Sequence, residues 1–346
     1  MTEMKLASDC WVDSQIGIDA IDPARICTFG VSVMDDALIG ILPNDLIVIG
    51  ADSGVGKSEI ALDVAMHNAA AGRKVAMYFL EGGSDEAINR IRWKMIKNKY
   101  FNKNCSGVDL DYAKWRMNKL NSPLMRQLNE ECYVEFKDKV KDNLHIYSFD
   151  EGFTIEMLMS SISLFEKKGS PGYSLDLLII DHLQYFSLTS EQNQFAEMTE
   201  ILMKVKEITN HFKIPVVLVS HLRKRDKDRG LPGQDDFFGT SNISKISSQS
   251  IVIAAHPNSA DDDYVNGLYP TFFRFVKSRT GLRPSLAALC KFDVKTGKYA
   301  KVYDVYRLKG DVPLKSPLAN SKLPKWALRA ALLKERIKLQ QEGSEK

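Results

Sequence analysis

From about Gly30 onward, short continuous apolar runs alternate with stretches in which apolar residues recur every three or four positions. The runs at Asp45–Gly50, Lys74–Leu80, Leu175–Ile180 and Ile214–Ser220 are apolar at nearly every position, the pattern of strands buried on both faces. Helices are predicted between them. One covers Gly56–Ala71 and is closed by Gly72. Another starts at Ser84, with Ala87, Ile88, Ile91 and Met95 at helical spacing, a third runs from Thr154 to about Lys168, and a fourth from Gln194 to His211. Residues 98–142 are charged and helix-prone, anchored by Tyr100, Phe101, Tyr112, Trp115 and Met117. Further strands are predicted at Leu144–Ser148, Ser250–Ala255 and Thr271–Val276, and a hairpin at Leu286–Val302 turning at Lys-Thr-Gly-Lys. Such alternation predicts an α/β domain around a mostly parallel twisted sheet flanked by helices. Three units follow: a weakly patterned arm at 1–28, the α/β domain at 29–310, and a tail at 311–346. The tail has three prolines and then a basic helix over Lys325–Gln341 carrying Leu328, Leu332, Ile337 and Leu339.

Composition narrows the class. The chain has 346 residues, 44% hydrophobic and 26% charged, which excludes a disordered chain, a collagen-like one or a disulfide scaffold. Its apolar runs are strand-length, so no membrane partner is expected, and the start has no apolar signal region. The five cysteines are scattered without a C-x-x-C pair, and no H-E-x-x-H occurs, so reduced cytoplasmic thiols are expected and no zinc site. With 47 Lys plus Arg against 44 Asp plus Glu, the net charge is +3. A nucleic-acid partner would have to be held by a local basic surface.

Candidate chemistry concentrates at strand ends. Ala51-Asp52-Ser53-Gly54-Val55-Gly56-Lys57-Ser58 follows a predicted strand and opens a predicted helix, the context of a phosphate-binding loop. Gly54 and Gly56 let successive amides wrap a phosphate, and the helix N-terminus adds partial positive charge. Lys57 is placed for the β and γ phosphates of ATP and Ser58 for Mg²⁺. The strict pattern begins with Gly, where this chain has Ala51. Asp181 closes the LDLLII strand and is the second acid for Mg²⁺; Glu81 ends KVAMYFL as candidate general base; His221 ends IPVVLVS as candidate γ-phosphate sensor.

With these residues in this order, the chain resembles the motor core of DnaB-type replicative helicases, and the helicase half of phage primase–helicases and Twinkle. The resemblance covers about residues 28–308. FGVSVMDDALIGILPNDLIVIGADSGVGKS, VAMYFLEGGSDEAINRI, LDLLIIDHLQYFS, IPVVLVSHLRKRDKD and FRFVKSRTG carry it. It implies a RecA-like P-loop NTPase core in a ring, a hexamer in the family, translocating 5′ to 3′ on single-stranded DNA. By the same match, Arg279 is an arginine finger and Lys277 its companion, both acting on a neighbouring subunit's nucleotide. Asp235–Lys245 falls where the family holds DNA, making Phe238, Gly239, Thr240, Ser241, Asn242 and Lys245 candidate DNA contacts. Here the chain departs from the pattern, with Phe238 where Arg is usual and Ser241 where Gly is usual. Phe237 and Phe238 could stack on bases or anchor the loop in the core. Residues 1–28 leave no room for the additional N-terminal domain of relatives; they are expected to form a short arm docking on the next subunit, and the tail a contact for DNA, a primase or a loader. Two other classes share the phosphate loop: a recombination or regulatory ATPase of RecA or RadA type that binds DNA without unwinding, and a P-loop small-molecule kinase.

Overall fold

The structure is a computed structural model describing residues 6–19, 21–52, 54–149, 152–165, 174–188, 193–223, 230–238, 242–256, 267–279 and 281–344. After helix α1 (Ala7–Asp19), the chain forms α2 (Ser32–Leu38), β1 (Leu46–Ala51), α3 (Lys57–Ala70), β2 (Val75–Phe79), α4 (Ser84–Asn102), α5 (Tyr112–Arg116), α6 (Pro123–Lys139) and β3 (Leu144–Tyr147). Then come α7 (Ile155–Ile162), β4 (Leu177–Asp181), α8 (Gln194–Phe212), β5 (Val216–His221), α9 (Ile243–Ile246) and β6 (Gln249–Ala255). The chain ends with β7 (Leu268–Lys277), β8 (Leu286–Asp293), β9 (Lys298–Lys309), β10 (Val312–Pro313) and α10 (Leu328–Ser344).

All ten strands form one sheet in the order β10-β9-β8-β7-β6-β1-β5-β4-β2-β3. The run from β6 to β3 is parallel, with β1 between β5 and β6. From β6 to β10 the pairing is antiparallel. The sheet is thus mostly parallel, as predicted, and carries an antiparallel wing. Its antiparallel wing comes from β7 to β9, where hairpin connections replace crossover helices.

Continuous apolar strands are buried on both faces, as their composition predicts. Ile47, Ile49 and Ala51 of β1 face a core shared with α2 and α3, while Leu46 and Val48 face a second core shared with α7 and α8. A third, smaller cluster joins α4 to α6 through Trp93, Ile96, Tyr100, Met125 and Leu128, which accounts for the helix-prone stretch at 98–142.

The segment after 310 does not stand apart from this domain. Val312 and Pro313 extend the sheet along β9, and Ala327 and Ala330 are buried in the core. Trp326 stacks on Tyr303 at 5.9 Å and meets Phe275 edge-on at 5.9 Å. Arg329 pairs with Asp36 of α2 at 2.7 Å, and Tyr303 Oη donates to the other oxygen of Asp36 at 2.9 Å. The large apolar residues of the predicted helix, Leu328, Leu332, Ile337 and Leu339, are exposed; its packed face is built from alanines. In the arm, α1 carries Trp11, Ile16 and Ile18 exposed. Among the described residues no helix is long and apolar enough to cross a membrane.

Candidate active site

Strand β1 delivers the chain into the phosphate loop at the carboxyl edge of the parallel strands. Gly54 and Gly56 adopt φ of +82° and +91°, a left-handed backbone that favours glycine, and a Cβ on Gly54 would meet nothing within 4 Å. The loop therefore leaves open space above the N-terminus of α3. Ala51 occupies the last position of β1, fully buried, where the strict motif has Gly. Lys57 opens α3, with its ammonium bonded to the Asp52 carbonyl at 3.3 Å. Burial pulls the Lys57 pKa below its ordinary value against the pull of Glu81, Asp181 and Asp52. Ser53 lies outside the described residues.

Neighbouring strand ends bring the other predicted groups to this edge. Phe79 of β2 pairs with Asp181 of β4, Ile180 with Leu218 of β5, and His221 of β5 with Ala51 of β1. Glu81 lies just past β2, where the Leu80 N–H donates to the Asp181 carbonyl at 2.7 Å. Its charge acts on Lys57, Asp181 and His221 together. Both carboxylate oxygens of Asp181 are buried without a hydrogen-bond partner among the described residues. Burial pushes Asp181 up to about 6, opposed by the Ser58 hydroxyl beside it and reinforced by Glu81. A buried, unpartnered carboxylate next to a helix-start hydroxyl fits Mg²⁺, a hard cation with oxygen ligands. Among the described residues no cluster of three His, Cys, Asp or Glu forms a separate metal site.

The sequence reading missed His182. Its Nε2 lies 2.8 Å from Nε2 of His221, with the rings at right angles. Burial, then His221 and Lys57, push the His182 pKa down to about 3; burial and Lys57 also lower that of His221. Both rings are therefore neutral near pH 7, so one Nε2 donates and the other accepts. The signal in the sequence was the Asp-His pair at the end of β4.

Gln184, in the turn after β4, ties three segments together. Its Nε2 donates to Ser220 Oγ at 3.0 Å and to the Phe238 carbonyl at 3.3 Å, while its Oε1 accepts the His221 N–H at 3.2 Å. The Phe238 N–H donates back to the His221 carbonyl at 2.9 Å. Phe237 is fully buried against Gly50, where a Cβ would come within 2.5 Å of the ring. Phe237 therefore anchors the predicted DNA segment in the core, while Phe238 is 42% exposed. Gly239, Thr240 and Ser241 lie outside the described residues. Asn242 precedes α9, with Nδ2 3.5 Å from Thr199 Oγ1, and the Lys245 side chain is exposed.

Arg279 and Lys277 stand at the opposite edge of the sheet. Lys277 pairs with Ser250, which pairs with Val48, and Arg279 Nη1 lies 3.8 Å from Asp45, just before β1. The six residues of β1 separate that edge from the chain's own phosphate loop by about 20 Å. Arg279 is 61% exposed. The Lys277 ammonium is held by the carbonyls of Lys245 (2.9 Å) and Ser247 (2.6 Å). The predicted DNA segment thus begins beside the end of β5 at one edge and ends against Lys277 of β7 at the other.

The fold and this edge define a RecA-like P-loop nucleotide-binding domain. Residues 27–246 match the DnaB-like helicase C-terminal domain family, and the chain belongs to that family. It is 21% identical over 281 residues to a probable plasmid replicative DNA helicase of Chlamydia muridarum, covering 80% of this chain and 55% of that protein. It is 24% identical over 205 residues to the replicative DNA helicase DnaB of Haemophilus influenzae, covering 59% of this chain and 40% of that protein. The chain therefore spans roughly half the length of these relatives. Among solved structures, the ATPase domain of G40P superposes with a TM-score of 0.64 at 16% identity, covering 86% of this chain and 99% of that one. A DnaB-like replicative helicase studied with primase superposes with a TM-score of 0.64 at 16% identity, covering 85% and 68%.

Proposed function

We propose that this chain is the motor of an ATP-dependent DNA helicase that acts as a ring, a hexamer, moving 5′ to 3′ on single-stranded DNA in the cytoplasm. One observation carries the reading: Lys57, Glu81, Asp181 and His221 share one edge of the sheet, across from an exposed Arg279 that is too far away to reach them. A cleft and a finger on opposite edges suit copies stacked head to tail, each completing the next one's site.

In this reading the phosphate-loop amides and Lys57 bind the β and γ phosphates of ATP. Ser58 and Asp181 hold Mg²⁺, which supplies charge neutralisation on those phosphates. Glu81 takes a proton from the attacking water. His221 responds to the γ phosphate and passes its loss through Gln184 and Phe238 to the segment ending at Lys245. Arg279 stabilises the transition state of the adjacent copy, and Lys277 holds the end of the DNA segment beside it. The exposed apolar residues of α1 support an arm that docks on the next copy. A primase is the partner to test, because a structural relative was solved for its interactions with one.

The test is ATP turnover with and without single-stranded DNA, together with strand displacement from a forked duplex. Stimulation with displacement is expected. DNA stimulation without displacement would leave a RecA-type ATPase, and neither would remove the helicase reading.

A further inference from the structure

The α4–α6 subdomain holds a feature that the hydrolytic edge does not use. Asn89 and Arg92 of α4, Arg116 of α5 and Arg126 of α6 line a polar cavity of about 380 Å³ together with the 118–121 connection. Among the described residues no carboxylate lines it, and of its three guanidinium groups only Arg116 has a carboxylate partner, Glu86 from outside the lining. Three like charges around one cavity repel one another, and an anion between them would relieve that repulsion.

The guanidinium groups are nonetheless held in position. Arg92 lies 5.5 Å over the Trp115 ring and donates to Asn129 Oδ1 at 3.1 Å. Arg126 donates to the Asn121 carbonyl at 2.9 Å and to its Oδ1 at 3.0 Å. Asn118 sits at φ +57°, in the left-handed region that asparagine tolerates, with its N–H bonded to the Trp115 carbonyl at 2.9 Å. Each guanidinium carries five N–H donors, so these contacts leave most of them for an anion.

We propose that this cavity is a second, non-hydrolytic site for a nucleoside phosphate unit, either one residue of a single DNA strand or a free nucleotide. The arginines suit a phosphate, which guanidinium binds with paired N–H donors. The asparagine carboxamides present donors and acceptors together, as a base edge does. The cavity has the size of a small-molecule pocket.

The test uses the full chain carrying Lys57→Ala, so that binding in the hydrolytic cleft is suppressed. Hydrogen–deuterium exchange is followed over residues 84–129 with saturating oligo(dA), with dAMP, and with oligo-glutamate. Protection around Arg92, Asn118 and Arg126 by either nucleotide is expected; the oligomer alone identifies the strand as the source, and dAMP alone identifies the free nucleotide. Adding Arg92→Ala and Arg126→Ala should weaken the protecting ligand by about tenfold or more. No protection by either nucleotide, or protection by oligo-glutamate alone, overturns the proposal, and this exchange measurement decides even where the double substitution impairs folding.

Discussion

His182 Nε2 lies 2.8 Å from His221 Nε2, joining the end of β4 to the end of β5 by one imidazole–imidazole hydrogen bond. His182 is buried and faces His221, so in the proposed mechanism it positions the His221 ring and does not touch the phosphate. His182→Ala is expected to lower kcat about tenfold, the effect of losing one positioning hydrogen bond. KM for ATP should stay within about twofold, because the phosphate loop is untouched. His182→Asn, which can still hydrogen-bond, should recover part of the loss. Steady-state kinetics on the three proteins checks this; a change confined to KM would contradict it.

Asp181 gives a pH-dependent signature. Its pKa rises from 3.8 unfolded to about 6 folded, because burial penalises the charged form. The folded state holds this proton more tightly, so its contribution to stability falls as pH rises from about 4 to about 6. Above that window the penalty is fully present. In the absence of nucleotide and Mg²⁺, Asp181→Asn should therefore stabilise the fold by about 1–3 kcal/mol near pH 7.5 and by little near pH 4. Turnover should be lost at either pH. Urea denaturation at the two pH values checks the sign.

The carboxyl-terminal segment should behave as part of the core over its first turns. Trp326→Ala removes the contacts with Tyr303 and Phe275 and is expected to cost about 2–3 kcal/mol. Lys338→Ala, on the exposed outer part of α10, should change stability by less than about 0.5 kcal/mol. Equal effects of the two in thermal unfolding would mean that the segment does not dock as described.

Much of the fold was legible because the strands that carry the site are buried on both faces. Leu46–Ala51, Leu177–Asp181 and Val216–His221 appear as apolar runs, each ending on a candidate site residue or beside one. The phosphate loop was legible because its glycines, Lys57 and Ser58 are fixed by local backbone geometry. The antiparallel wing was legible only as one hairpin, since pairing direction is set by tertiary contacts. The docking of α10 was hidden because Ala327 and Ala330 bury little area, while the conspicuous Leu328 and Leu332 face outward. His182 was hidden because its role depends on His221, 39 residues away, and not on local spacing.

A mixing experiment tests the central claim most directly. Arg279→Ala should bind ATP nearly as the parent does but lose turnover by about 10³-fold or more. Glu81→Gln should also be inactive while retaining its finger. In a random equal mixture, clefts of the first variant meet fingers of the second at one interface in four, so turnover should recover to about a quarter of the parent's. Recovery at that level is the predicted result. No recovery from a mixture that still assembles, or parental turnover by Arg279→Ala alone, would contradict the account.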